Sequence, residues 1–394
     1  MNIACLFPGQ GAQYIGMGEE FFDKYDYVKE IYQKASEVLN IDISQLCFRN
    51  TEQELNKTEN AQLALFVSGY AAYQVTINEL KFSPSFLAGH SLGEITALSC
   101  AGAIEFEDAL NIIKIRANLM HEAEKNVKGG MLAVNGLEKD QILHFCRKMS
   151  HSKESLVIAC ENSPEQFVIA GEITNLENLL KSLQSQKATA TMLPVSGPFH
   201  SPYMKEAAST FENKLKTFKL SMPKSSVVSS VTGELYNDIT DVWDNLSNQL
   251  IKPVYWSRVM QFLKNKELKY FIDIGPRTLL KNLVSYNNLS ANVLSINEAL
   301  RLGVFKKSDI NLIKKYISII VSTKNRNWDN DDYEKKVVEN LTKLKKLLKQ
   351  NTEYSRKLTL YEEQHAYELF EECLLGKGIT KEEKDLILNK SKLF

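Results

Sequence analysis

The sequence predicts an α/β protein whose main domain is a parallel sheet covered by helices. A smaller unit is inserted in this domain, and a helical extension follows it. Three observations lead to this prediction. Up to about residue 127, apolar runs without alternation are separated by helical stretches, which is typical of buried parallel strands. From Gly130 to Pro194 the predicted order of elements changes to βαββαβ. After about residue 300, lysine becomes frequent, glycine and proline are scarce, and apolar residues recur at helical spacing.

The composition excludes several classes of function. The chain has 394 residues, enough for one large domain with an insertion or for two domains, and its 48 basic residues balance 48 acidic ones. The chain therefore has no net positive charge that would attract nucleic acid or an acidic membrane. No apolar run has the length of a membrane span. The six cysteines lack metal-ligand spacing, and no signal-peptide pattern precedes the first strand. We expect a cytoplasmic protein without a metal or a bound cofactor.

The elements of the first region alternate in type along the chain. A strand at Ile3–Phe7 leads into a glycine-rich loop with the sequence Pro8-Gly9-Gln10-Gly11-Ala12-Gln13. Helices are predicted at residues 60–80, 94–101 and 107–125, and a second strand at residues 86–88. Gly102 stands where a helix C-cap is expected and ends the second of these helices.

The middle region predicts a unit of its own. Strands are expected at residues 131–135, 156–160, 167–170 and 191–195, and helices at Lys139–Met149 and residues 176–185. This βαββαβ order is the ferredoxin-like arrangement. The chain then returns to the main sheet with strands at residues 227–231 and 270–274. We expect a core formed by residues 1–128 and 196–300, a subdomain at 129–195, and a ligand cleft between them.

The C-terminal extension, residues 301–394, is predicted to be helical. Val337, Leu341, Leu344 and Leu348 recur at three and four residues, with lysines elsewhere around the same helix. A second helix is expected at residues 360–375. The pattern fits a helical hairpin packed on the core or on another subunit. A docking surface for a partner protein is the alternative that the sequence leaves open.

A nucleophile motif stands between the second strand and its helix. Residues Gly89-His90-Ser91-Leu92-Gly93 match G-x-S-x-G, in which a serine lies on a sharp strand-to-helix turn. The flanking glycines allow the turn and the close approach of a substrate. The turn also directs the hydroxyl of Ser91 to a helix N-terminus, where developing negative charge is favoured. We therefore expect Ser91 to be a nucleophile.

A serine nucleophile needs a base, and His200 is the best candidate among the six histidines. It lies in the irregular loop Ser196-Gly197-Pro198-Phe199-His200-Ser201-Pro202, directly after the inserted unit, where a base can face the cleft. His90 adjoins the nucleophile on a sharp turn, which favours a structural role. The others lie in charged helices, the subdomain or the extension and are expected to be solvated: His121, His144, His151 and His365.

An arginine is the second informative residue. Arg116 is flanked on its helix by Ile112, Ile113, Leu119 and Met120, so it stands in an apolar face. A charge buried there must find an anion. The charge of Arg116 could pair with an internal carboxylate, or its side chain could extend to water. Alternatively, its guanidinium could bind a substrate carboxylate through two hydrogen bonds. The spacing alone leaves these possibilities open.

Five segments occur in the order that one known family shows. They are Leu6-Phe7-Pro8-Gly9-Gln10-Gly11-Ala12-Gln13, Gly89-His90-Ser91-Leu92-Gly93-Glu94, Arg116, Gly197-Pro198-Phe199-His200-Ser201 and Asn248-Gln249-Leu250-Ile251-Lys252-Pro253-Val254. Together they resemble the malonyl-CoA:acyl carrier protein transacylases, a family shared with acyltransferase domains of polyketide synthases. The resemblance runs from residue 3 to residue 299. It implies an α/β-hydrolase-like core with a ferredoxin-like insertion, in agreement with the periodicity.

The resemblance implies the catalytic roles. Ser91 would attack the thioester of malonyl-CoA, with His200 as general base. The histidine would be oriented by a backbone carbonyl near Gln249, with no acidic third member. Backbone N–H groups of Gln10 and Leu92 would form the oxyanion hole, which suits the glycine-rich loop around Gln10.

The resemblance also implies the residues that bind substrate. Arg116 would bind the free carboxylate of the malonyl group, and Gln249 would border the same site. Phe199 resembles family members that select malonyl over methylmalonyl, because its ring would leave no space for an α-methyl group. Asn162 matches a family position near the CoA-binding side of the cleft. No cofactor is implied, and the acceptor would be an acyl carrier protein or a carrier domain of a polyketide synthase.

The sequence departs from the family in two places. Ser229-Ser230-Val231-Thr232-Gly233 replaces a segment in which the family often has asparagine, and the extension after residue 300 lies beyond the usual domain. The extension suggests a discrete acyltransferase that serves a polyketide assembly line in trans, with fatty acid synthesis open. A thioester hydrolase on the same fold is the main alternative, and Arg116 argues against it. An unrelated lipase or peptidase would lack the Gln10 loop, and a purely structural scaffold would not need Ser91.

Overall fold

The α/β class is confirmed, with one parallel and one antiparallel sheet. The computed structural model describes residues 3–149, 155–184, 188–195, 197–289, 291–302, 311–353, 358 and 360–390. It forms two compact units, Met1–Glu298 and Ala299–Phe394.

The first unit contains both sheets. Its described strands are β1 (Ile3–Phe7), β2 (Phe86–Gly89), β3 (Gly129–Asn135), β4 (Leu156–Ser163), β5 (Gln166–Glu172), β6 (Thr189–Met192), β7 (Ser226–Val228), β8 (Tyr270–Asp273) and β9 (Asn292–Ser295). Its described helices are α1 (Glu19–Lys24), α2 (Asp26–Leu39), α3 (Ile43–Phe48), α4 (Glu52–Leu55), α5 (Thr58–Leu80), α6 (Leu92–Cys100), α7 (Phe106–Asn126), α8 (Lys139–Met149), α9 (Ile173–Leu183), α10 (Lys205–Leu215), α11 (Ile239–Asn248), α12 (Trp256–Lys264), α13 (Leu279–Tyr286) and α14 (Ile296–Leu302), the last of which reaches into the second unit.

The core sheet is parallel throughout its described strands, in the order β7-β2-β1-β8-β9. Strand β1 is buried along its whole length, which explains its apolar sequence without alternation. The carboxyl ends of β1 and β2 are neighbours, since Phe7 pairs with Gly89. The loop at Gln10 and the turn at Ser91 therefore meet at the edge where open α/β sheets bind ligands.

Two long helices pack beside these strand ends. Helix α5 is buried on nearly all sides and carries Thr58 and Gln62 among its buried residues. Helix α7 buries one apolar face that includes Ile112, Ile113 and Arg116. Both helices thus bring polar side chains into a mainly apolar interior.

The second sheet is antiparallel, in the order β4-β5-β3-β6, and its chain order is βαββαβ. Helices α8 and α9 cover it over a buried cluster that includes Leu132, Phe167 and Leu176. Strand β4 also pairs with the segment after α11, because Val254 N donates to Ala159 O at 2.9 Å. This pairing fixes the end of β4 against the core.

Two predicted strands have other bounds in the structure. The strand predicted at 227–231 ends at Val228, because the next residues turn and Ser229 N bonds to Glu234 O. The strand predicted at 191–195 corresponds to β6, which spans Thr189–Met192 in the structure. Its pairing with β3 ends at Met192, and Pro194 has no N–H to donate to the neighbouring strand. The predicted helix at 176–185 ends at Leu183, and Ser185 and Ser196 lie outside the described residues.

The second unit is helical where it is described. Its helices are α15 (Asn311–Ser322), α16 (Asn330–Tyr333), α17 (Glu339–Glu353), α18 (Leu360–Gly376) and α19 (Lys381–Lys390), with a π-helical turn at Glu334–Val338. It is therefore larger than the predicted hairpin. The rings of Tyr316 and Phe370 stack in its core at 4.5 Å, and buried Lys377 Nζ donates to Thr323 O at 2.6 Å beyond the end of α15. In the described part of the chain, no helix is both long and apolar enough to span a bilayer.

Candidate active site

Ser91 occupies a strained turn between β2 and α6. Its backbone has φ 52° and ψ −114°. Residues other than glycine rarely adopt this conformation, and those that do are concentrated at functional sites. Glycine is required on both sides. A Cβ on Gly89 would lie 1.9 Å from the carbonyl carbon of Gly93, and one on Gly93 would lie 2.0 Å from Phe7 O. The predicted nucleophile turn is therefore set by close backbone packing.

His200 lies between the nucleophile and a backbone carbonyl. Its Nε2 is 2.8 Å from Ser91 Oγ, and its Nδ1 is 2.7 Å from Gln249 O. The carbonyl can only accept, so Nδ1 carries a proton and Nε2 is free to take one from Ser91. His200 also has a positive φ of 57°, and it is 5% exposed. A carbonyl takes the place that an aspartate has in other serine-histidine sites.

The environment keeps His200 neutral. Burial and, after it, the nearby positive charge of Arg116 together lower the pKa of the imidazole to about 3, against a smaller opposing effect of the Gln249 carbonyl. A neutral imidazole is the form that can accept the proton of Ser91 Oγ. The surroundings therefore favour the base form of His200 across the physiological range.

This pKa has a measurable consequence for both activity and stability. The rate of Ser91 acylation should stay flat as pH falls from 8 to 5, without the step near 6.5 that an ordinary histidine gives.

The same pKa affects the stability of the fold. In the unfolded chain the imidazole of His200 is protonated below about pH 6.5, whereas in the folded protein it stays neutral down to about pH 3. The free energy of unfolding should therefore decrease as the pH is lowered through that window, by up to about 1.4 kcal/mol per pH unit from this group. His200→Gln should lack that part of the slope in denaturant unfolding at pH 4 to 7. An equal slope in both proteins would contradict the assignment.

Arg116 is buried beside the nucleophile and is 1% exposed. Its NH1 donates to Gln62 Oε1 at 2.6 Å, and its NH2 donates to Ser91 Oγ at 3.1 Å and to Gln249 Oε1 at 2.8 Å. Burial lowers the pKa of the guanidinium to about 10, opposed by the charge of Glu94. The Nε atom has no hydrogen-bond partner in the described residues. The guanidinium thus keeps a donor unused, and no carboxylate of the described chain pairs with it directly.

Sequence reasoning assigned no role to Glu94, which the structure brings into the same network. It stands in the first turn of α6, is 0% exposed, and its carboxylate accepts a 2.7 Å hydrogen bond from Gln249 Nε2. Ser230 donates to the same carboxylate from both its backbone N–H and its hydroxyl. The signal available was a carboxylate in an otherwise apolar helix directly after the nucleophile motif.

The predicted oxyanion donors flank Ser91. Leu92 N is the first N–H of α6, and such groups lack a partner within their helix. On the other side, a Cβ built on Gly9 would lie 3.5 Å from Ser91 Cβ, so the loop that continues to Gln10 runs beside the nucleophile. The Gln10 side chain bonds to Thr58 Oγ1 at 3.4 Å. Both residues therefore lie in the vicinity that the oxyanion role requires.

Phe199 and Asn162 border the same centre. Phe199 is buried directly before His200. Asn162 is buried near the end of β4, and its Oδ1 lies 2.9 Å from His90 Nε2. His90 in turn packs against Trp256, with ring centroids 5.6 Å apart. Asn162 is thus connected to the nucleophile turn through His90.

The remaining histidines lie apart from this centre or outside the described residues. His121 Nδ1 is 3.3 Å from Glu124, and His365 Nδ1 is 3.9 Å from Glu368. His144 is exposed, and His151 lies outside the described residues. Within the described ranges, no group of three or more His, Cys, Asp or Glu side chains is arranged to hold a metal.

Comparison with known proteins gives concordant matches. A family model described as acyl transferase domain matches residues 5–312. The malonyl CoA-acyl carrier protein transacylase of Bacillus subtilis is 33% identical over 338 residues, 84% of this chain and 84% of that protein. The solved structure of the transacylase of that name from Clostridium perfringens is 36% identical, with a TM-score of 0.70 over 75% of this chain and 93% of its own. A malonyl-transacylase in complex with its type II PKS acyl-carrier protein is 31% identical, with a TM-score of 0.74 over 77% of this chain and 99% of the other.

Proposed function

The chain belongs to the acyl transferase family, and we propose that it transfers the malonyl group from malonyl-CoA to the phosphopantetheine thiol of an acyl carrier protein. One observation carries the substrate assignment. In a malonyl group a single methylene separates the carboxylate from the thioester carbonyl, so a cation that binds the carboxylate must lie close to the nucleophile. Arg116 NH2 lies 3.1 Å from Ser91 Oγ.

The first half-reaction forms an ester on Ser91. His200 Nε2 takes the proton from Ser91 Oγ while the oxygen attacks the thioester carbonyl. Backbone N–H groups of Leu92 and Gln10 stabilise the resulting oxyanion. The tetrahedral intermediate collapses and the carbon–sulfur bond breaks. The CoA sulfur takes the proton back from His200 and leaves as the free thiol.

The second half-reaction reverses these steps with another thiol. His200 takes the proton of the phosphopantetheine thiol, the sulfur attacks the Ser91 ester, and Ser91 Oγ recovers the proton as it leaves. One base and one oxyanion hole serve both halves, which gives ping-pong kinetics. No cofactor is required, and the carrier protein belongs to fatty acid or polyketide biosynthesis.

The roles proposed for the substrate-binding residues follow from their positions. Arg116 retains an unused Nε–H for the malonyl carboxylate, and the side-chain oxygen of Gln249 accepts from its NH2 group. Phe199 restricts the space beside His200 and excludes an α-methyl group. Asn162 binds the CoA side of the substrate, a proposal supported by its connection to the nucleophile turn through His90.

We also propose the finer fold assignments. The parallel sheet with its strand-turn-helix at Ser91 supports an α/β-hydrolase-like core formed by residues 1–128 and 196–300. The antiparallel order β4-β5-β3-β6 supports a ferredoxin-like subdomain at residues 129–195. We assign residues 301–394 to a C-terminal extension, which is helical where the structure describes it. Six free cysteines support a cytoplasmic location.

A thioester hydrolase on the same fold is the alternative function, and two observations disfavour it. Such an enzyme does not need to bind a substrate carboxylate, so Arg116 beside Ser91 argues against it. The similar proteins named above are transacylases.

Intact-protein mass spectrometry tests the proposed function. The protein is mixed briefly with malonyl-CoA, methylmalonyl-CoA or acetyl-CoA, with and without an acyl carrier protein that carries phosphopantetheine. We expect a malonyl adduct that persists alone and moves to the carrier. An adduct that is lost to water without a carrier, or one formed from acetyl-CoA in preference to malonyl-CoA, would support the hydrolase.

Phe199→Ala should relax the choice between malonyl and methylmalonyl. Removing the ring opens space for one methyl group, which is worth about 1–3 kcal/mol of discrimination. We expect acylation by methylmalonyl-CoA to rise about 10- to 100-fold relative to malonyl-CoA. Phe145→Ala, on α8 of the subdomain, is the matched control and should leave the ratio unchanged. An unchanged ratio in Phe199→Ala would remove Phe199 from the selection of substrate.

A further inference from the structure

The carboxylate of Glu94 is held by donors on all sides. Its Oε1 accepts from Ser230 N at 2.9 Å and from Tyr236 OH at 2.5 Å. Its Oε2 accepts from Ser230 Oγ and from Gln249 Nε2, both at 2.7 Å. Four donors match the capacity of an ionised carboxylate, which can only accept. Glu94 is therefore a fixed acceptor in the interior beside Ser91.

Gln249 joins this carboxylate to the arginine. Its side-chain amide has a donor end and an acceptor end, and the two ends face different partners. The Nε2 end donates to Glu94 and, at 3.1 Å, to Ser91 O. The Oε1 end accepts from Arg116 NH2 at 2.8 Å. With the amide reversed, Nε2 would face the guanidinium donor to donor, and Oε1 would face the carboxylate acceptor to acceptor.

We propose that Glu94 is a positioning residue for recognition of the malonyl carboxylate, acting through the side-chain amide of Gln249. The fixed acceptor at Glu94 decides which way the amide points, and the amide oxygen then holds Arg116 beside Ser91 Oγ. The side-chain oxygen of Gln62 accepts from the NH1 group of the same guanidinium. The Nε–H of Arg116 is buried and has no partner in the described residues, and it is the donor that we assign to the substrate carboxylate. This inference rests on the proposed function.

Glu94→Gln tests the proposal with a side chain of the same size. A glutamine there presents an NH2 group where the carboxylate accepted, so it competes with the donors around it and favours the reversed Gln249 amide. Arg116 then faces a donor and loses its position. We expect kcat/KM for acylation by malonyl-CoA to fall about tenfold or more relative to acetyl-CoA. Equal losses for the two thioesters would indicate a merely structural role and would overturn the proposal.

Asp273→Asn is the matched control. Asp273 is also 0% exposed, and its carboxylate accepts from Gly275 N and Lys281 N at the end of β8. Replacing it removes a buried carboxylate with the same minimal change of shape. We expect a loss of stability with an unchanged ratio of malonyl to acetyl transfer. A lowered ratio in this control would mean that any loss of a buried carboxylate has the effect, and would overturn the proposal.

A second variant keeps the proposal testable if Glu94→Gln does not fold. Gln249→Met removes the amide but retains the backbone carbonyl that orients His200, so it should lower the malonyl to acetyl ratio by itself. If Glu94→Gln does fold, adding it to Gln249→Met should cause no further drop. An unchanged ratio in Gln249→Met, or independent effects that multiply, would overturn the proposal. A wild-type protein that does not prefer malonyl-CoA would overturn the proposed function instead.

Discussion

Ser91→Ala is expected to abolish the malonyl adduct and to lower the rate of transfer by about 10³-fold or more. The hydroxyl is the group that His200 Nε2 contacts at 2.8 Å, and without its oxygen no ester can form. Arg116 and the backbone donors remain, so malonyl-CoA should still bind. Intact-protein mass spectrometry after brief mixing with malonyl-CoA gives the readout, and equilibrium binding of malonyl-CoA shows that the site is still formed.

Ser99→Ala is the control for this variant. Ser99 is a buried serine further along the same helix, α6, and it has no role in the proposed chemistry. Its variant should form the adduct at the wild-type rate. Retention of a malonyl adduct on Ser91→Ala would show that another residue is the nucleophile.

Arg116→Ala is expected to lose malonyl transfer selectively. Removing the guanidinium leaves the substrate carboxylate in a buried site without a cation, and truncating one member of such a pair costs about 2–5 kcal/mol. We expect kcat/KM for malonyl-CoA to fall by about 10²-fold or more, while acetyl-CoA, which has no carboxylate, is accepted as well as before or better. Rates of acylation with the two thioesters check this.

The arginine variant needs a control for folding. Gln62 and Gln249 lose a hydrogen-bond partner in Arg116→Ala, so we expect lower stability, and the rates should be compared well below the unfolding temperature. Arg49→Ala removes a surface arginine that pairs with Glu19, and it should change neither substrate. An unchanged preference for malonyl-CoA in Arg116→Ala would leave Arg116 with a structural role alone.

His200 and Arg116 affect each other through charge. The guanidinium lowers the pKa of the imidazole, and a bound carboxylate would offset that positive charge. Binding of malonyl-CoA should therefore raise the basicity of His200 at the moment when it must take the proton of Ser91. Acetyl-CoA brings no such charge, so the two substrates differ in more than binding.

The sequence by itself determined the parts of the site that follow from local chain geometry. The turn at Ser91 needs glycine on both sides, a strand before it and a helix after it, and all of these are consecutive in the chain. Arg116 stands out because helical periodicity places a charge in an apolar face. His200 follows from its place in an irregular loop after the inserted unit. The α/β class follows in the same way, from apolar runs that do not alternate.

The tertiary structure decided what depends on contacts between distant segments. The partner of His200 is a backbone carbonyl, and every residue has one, so only the family resemblance, and no residue type, indicated Gln249 for that role. Glu94 interacts with Ser230 and Gln249, more than 130 residues further along the chain. The last strand of the antiparallel sheet begins at Thr189, two residues before the predicted start, because its pairing with β3 begins there. In each case the free energy comes from burial and hydrogen bonding across the fold, which a local pattern does not contain.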